Sequence, residues 1–63
     1  MKEKTRNNVY AAFIGEAKAY FRLRAYAEKA DEEDVPQIAL LFRAIAEAER
    51  VHATRHLNLA KDI

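Results

Sequence analysis

Glu49 and His52 stand as Glu-x-x-His, a spacing that on a helix puts a carboxylate oxygen and an imidazole nitrogen almost one turn apart on the same face, within reach of a single metal ion. With His56 they interrupt an otherwise apolar stripe. Ile38, Phe42, Ile45, Glu49, His52, His56 and Leu59 follow one another at alternating spacings of four and three, so all share one helix face. An earlier stripe has the same rhythm, with Val9, Phe13, Glu16, Tyr20, Leu23, Ala27 and Ala30, and Glu16 sits in its middle. Desolvating an unpaired carboxylate costs several kcal/mol, so two glutamates at seam positions need positive charge between them. A metal ion meets that need, and so does a salt bridge to Arg or Lys. For His52 the alternatives are a metal ligand and a satisfied core histidine.

Two helices must carry these stripes. The sequence holds one glycine and one proline among 63 residues and is rich in Ala, Glu, Lys, Arg and Leu, a composition of long helices with little loop. The one strong break is Asp31-Glu32-Glu33-Asp34-Val35-Pro36. Proline is tolerated in the first turn of a helix but not in its interior, and Asp34 with Gln37 resembles a capping box. The expectation is a first helix over about 5–32 and a second over about 36–61, joined by a turn short enough to make them antiparallel neighbours. Counted from a turn near Asp34, Glu16 lies about eighteen residues back and Glu49 to His52 about fifteen to eighteen forward. At about 1.5 Å per residue the three reach one height.

Composition narrows the function classes. Lys+Arg 11 against Asp+Glu 10, interleaved along the chain, leaves no basic footprint for nucleic acid. No apolar run approaches the 18–20 or so residues of a membrane span, and Met1 to Arg6 leads into an amphipathic segment instead of a signal-peptide core, so a soluble, cytoplasmic protein is expected. With no cysteine there is neither a disulfide framework nor a thiolate site. A core of this size supplies only about 3–5 kcal/mol by itself, which points to oligomerisation, a metal, or both.

The ligand count asks for the same thing. Carboxylate di-iron bundles take one Glu from each of two helices and a Glu-x-x-His pair from each of the other two. Glu16, Glu49 and His52 are half of that set, and a twofold pair of hairpins completes it.

Longer stretches carry a family resemblance. Ala12-Phe13-Ile14-Gly15-Glu16-Ala17 with Ala25-Tyr26-Ala27-Glu28-Lys29-Ala30 resembles the first helix of rubrerythrins. Gln37-Ile38-Ala39, Phe42, Ala46-Glu47-Ala48-Glu49, His52-Ala53 and Arg55-His56 resemble their second. The similarity covers nearly the whole chain but only the first half of a ferritin-like domain. It implies a non-haem di-iron site acting on peroxide, dioxygen or ferrous iron, with Glu16 a terminal carboxylate ligand, Glu49 a carboxylate bridging two metals and His52 a terminal nitrogen ligand. Two departures bear on this. No Cys-x-x-Cys electron-carrying segment is present, so an external donor is implied, and Leu23 stands where members of the family often have tyrosine.

The expected protein is therefore an all-α antiparallel helical hairpin, a single ferritin-like half-domain over 1–63, that dimerises into a ferritin-like four-helix bundle. Two iron ions per dimer are expected, with manganese or zinc able to enter a site of carboxylates and imidazoles. The expected activity is that of a rubrerythrin-like oxidoreductase. The alternatives are a ferroxidase or iron-handling half-ferritin and a non-catalytic dimerisation module. The expected partners are a second copy or a higher homo-oligomer, the oxidant or ferrous iron, and the electron donor, with no nucleic acid and no membrane. Beyond the ligands, His56 is either a hydrogen-bond partner of a ligand carboxylate or a structural histidine. Tyr20 either serves a metal-bound carboxylate or packs as an ordinary aromatic. Arg22, Arg24, Arg43 and Arg50 read as solvated or ion-paired, while Tyr10, Ile14 and Phe21 form a second apolar stripe that either widens the core or meets a further partner.

Overall fold

The structure, a computed structural model, describes residues 2–62. Two helices account for nearly all of them: α1, Lys2–Glu32, and α2, Pro36–Lys61. They lie side by side as an antiparallel hairpin with extents of 49 × 13 × 10 Å. Helix α1 begins three residues earlier than the sequence pattern suggests; the other limits coincide with it.

The turn is built from backbone chemistry. Val35 N–H donates to Ala30 C=O at 2.9 Å and Asp34 N–H to Asp31 C=O at 3.0 Å. Asp34 has φ 61, the left-handed conformation. This is a Schellman ending of α1 with aspartate at the left-handed position. The expected Asp34–Gln37 capping box does not form, because Asp34 is used up in closing α1. Val35 is the N-cap of α2, with no side-chain cap hydrogen bond, and Pro36 follows in the first turn. The Val35 carbonyl accepts from both Ile38 N–H and Ala39 N–H at 3.1 Å, so α2 starts without a polar side chain. Beside the turn Tyr26 and Phe42 bring their rings to 5.4 Å across the helices.

Helix α2 approaches α1 along a row that the stripe analysis did not select. Ala39, Ala46, Ala53 and Ala60, each seven residues apart, are buried, as are Ala27 and Ala30 of α1. Alanine removes side-chain bulk and lets helix axes come close, toward the lower end of the usual 8–10 Å. Next to this row runs a half-buried one, Phe42, Glu49 and His56, and beyond it an outward one, Ile38, Ile45, His52 and Leu59. The expected seam of α2 thus combines a flanking row with an outward row. Its members Ile38, Ile45 and Leu59 remain 43 %, 41 % and 50 % exposed, because one hairpin has nothing on that side to cover them. In α1 the expected stripe does face α2, half-buried through Val9, Phe13, Glu16, Tyr20 and Leu23 and buried at Ala27 and Ala30.

Among the described residues the ion pairs made by arginine and lysine lie at the surface. Arg43 of α2 donates to Asp31 of α1, a hydrogen bond that raises the guanidinium pKa above its ordinary value. Arg50 donates to Glu47 through Nε at 3.0 Å and Nη2 at 2.7 Å, and this hydrogen bond lowers the Glu47 pKa. Among the described residues, no helix is long and apolar enough to cross a membrane.

Candidate metal centre

Glu16 is carried by the middle of α1, and Glu49 and His52 by the middle of α2, at the level where the alanine row holds the helices close. One ligand-capable atom from each of the three lies within 4.8 Å of the other two. Glu16 and Glu49 are half-buried and His52 is exposed, so the group opens toward the outward row of α2. Salt bridges would be the competing explanation for the two glutamates. Among the described residues neither Glu16 nor Glu49 pairs with an arginine or lysine, and Arg43 and Arg50 pair with Asp31 and Glu47 instead.

Glu16 instead faces two imidazoles. Its Oε2 lies 3.7 Å from His52 Nδ1 and its Oε1 2.5 Å from His56 Nδ1, with only 20 % of the side chain exposed. Both Glu16 Oε2 and His56 Nδ1 are buried without a hydrogen-bond partner. A buried carboxylate oxygen with no hydrogen-bond donor, beside a second carboxylate and an imidazole, is a donor set that a divalent cation satisfies. The donor set, carboxylates with imidazole and no thiolate, suits iron or manganese and admits zinc. The residues present thus fit the implied metal.

Comparison with known proteins names the relatives. The Rubrerythrin family model matches residues 7–63. The chain belongs to the rubrerythrin family. Rubrerythrin-1 of Clostridium acetobutylicum is 42% identical to it over 59 residues, covering 94% of this chain and 30% of that protein. Rubrerythrin-2 of the same organism is 38% identical over 52 residues, 82% of this chain and 28% of the relative. Nigerythrin of Nitratidesulfovibrio vulgaris is 44% identical over 48 residues, 76% and 24% respectively. The chain therefore spans less than a third of the length of these rubrerythrin relatives. No solved structure matches it.

Of the remaining sequence candidates, Tyr20 is directed elsewhere. Its hydroxyl accepts from Arg24 at 3.4 Å, the Arg24 guanidinium stands 5.8 Å from its ring, and Phe21 meets it edge-on at 5.2 Å. That is aromatic packing at a solvated edge. His56 is the residue whose place periodicity left open: four residues after His52, it sits against Glu16 and outside the group formed by Glu16, Glu49 and His52.

Proposed function

We propose that two copies of this hairpin form a four-helix bundle enclosing two iron ions, and that the shared centre performs redox chemistry with peroxide or dioxygen as oxidant and an external electron donor. The observation that carries this reading is the convergence of Glu16, Glu49 and His52 within 4.8 Å on a face that opens toward uncovered apolar side chains. Ile45 and Leu59 flank His52 along the outward row, and a groove of about 490 Å³ beside the turn is lined by Tyr26, Ala30, Val35, Ile38 and Phe42 with Lys29 and Glu33 at its edge. Such a contiguous apolar surface is what a self-complementary partner covers.

In this arrangement each chain contributes one Glu from α1 and one Glu-x-x-His pair from α2. Glu16 and Glu49 would hold the iron as carboxylate ligands, Glu49 shared between the two ions, and His52 would be the nitrogen ligand. Bound iron would supply the redox chemistry. The chain's own work is to hold the ligands and balance charge. Four carboxylates from two chains would offset the charge of two divalent cations, and Ile45 and Leu59, seven residues to either side of His52, would limit water on that face. The alanine row keeps Glu16 and Glu49 at one height, so the ligands are presented by rigid helices.

The test is anaerobic loading with ferrous iron followed by rapid mixing with peroxide or with dioxygen, monitored by absorbance. The expected result is oxidation of two irons per dimer, faster than that of ferrous iron free in the same buffer. A protein that retains no iron, or whose iron oxidises only at the free-ion rate, would overturn the reading.

A further inference from the structure

The two oxygens of Glu16 have different surroundings, and so do the two histidines of α2. Oε1 faces His56 Nδ1 at 2.5 Å, while Oε2 faces the imidazole of His52 at 3.7 Å and has no hydrogen-bond partner. His52 belongs to the group of donor atoms within 4.8 Å of one another; His56 lies one helical turn further along α2, in the same half-buried row as Glu49 and Phe42. In this hairpin Nδ1 is buried against the carboxylate of Glu16, within hydrogen-bond reach but too far out of line to be satisfied.

We propose that His56 is a positioning residue for the metal centre: its Nδ1–H donates to Glu16 Oε1 and so presents Oε2 to the metal beside His52. The inference rests on the metal reading above. With Nδ1–H turned toward Oε1, the two unsatisfied buried atoms are accounted for together, Nδ1 by Oε1 and Oε2 by the metal. Glutamate is a long ligand with three side-chain torsions, so a donor fixed on the neighbouring helix removes freedom that binding would otherwise have to remove. Partners of this kind usually contribute 10–100-fold to metal affinity.

Cobalt(II), which binds such sites without needing an oxidant, is the probe. Wild type, His56→Gln and His56→Leu are titrated with it by calorimetry. Each metal-free protein is also melted and sedimented at matched concentration. His56→Leu keeps the apolar bulk but donates nothing, and should bind cobalt about 10–100-fold more weakly while its metal-free melt and mass stay those of wild type. His56→Gln carries an amide N–H that reaches the same oxygen, and should recover most of the affinity. Cobalt binding by His56→Leu within twofold of wild type would overturn the proposal. So would loss of the metal-free fold together with the affinity, since His56 would then be structural. Failure of wild type itself to take up cobalt would instead remove the metal centre on which the proposal depends.

Discussion

Glu49 sits between the alanine row of α2 and its open face, half-buried and, among the described residues, paired with no lysine or arginine. In a metal-free dimer it would add like charge near the axis, where Glu16 from both chains already stands. Glu49→Ala should therefore abolish metal binding and leave the metal-free protein as stable as wild type or more so. A structural ion pair requires the opposite, because deleting one partner of a buried pair costs about 3–5 kcal/mol. Thermal melts of chelated wild type and Glu49→Ala, beside iron titrations of both, separate the two by sign. The grouping of Glu16, Glu49 and His52 was legible because helical rise and distance from the turn are simple arithmetic. The contacts of His56 and Tyr20 were not. Both lie on the right stripes, and what distinguishes them is a local competition for partners: His56 meets Glu16, whereas Tyr20 is drawn to Arg24.

The two helices and their antiparallel pairing follow from one break in an otherwise helix-forming sequence, and the chain folds as that break dictates. What periodicity did not reveal is which row of α2 meets α1. Spacings of four and three through Ile38 and Ile45 describe the larger apolar side chains, while the contact within the hairpin runs one residue further along, through Ala39, Ala46, Ala53 and Ala60. Alanine carries too little hydrophobicity to stand out in a pattern, yet close approach selects it. Ala46→Leu should therefore force the helices apart and cost about 1–3 kcal/mol, an overpacking penalty, although leucine is the better hydrophobe. Urea melts of the metal-free protein read this directly; an unchanged or raised midpoint would mean that the row is not the hairpin contact. The turn holds a similar lesson. Asp34 looks like a capping residue for α2, but its left-handed φ makes it the terminator of α1, and Val35 starts the second helix through its backbone alone.

At the scale of the whole molecule, every fully buried side chain among the described residues is an alanine, and the larger apolar groups Tyr26, Ile38, Leu41, Ile45 and Leu59 remain at the surface. A hairpin with so slight an interior is marginal, and association and metal binding both stabilise the state they select. The incomplete ligand set and the uncovered face are two sides of one account, in which a second copy supplies the missing donors and the missing core together. The measurement that tests this most directly is native mass spectrometry of protein loaded anaerobically with ferrous iron, because it reads chain number and metal number in the same ion. The account predicts two chains with two irons, and two chains without metal for Glu49→Ala. A metal-free monomer as the dominant folded species, or a single chain holding iron by itself, would contradict it.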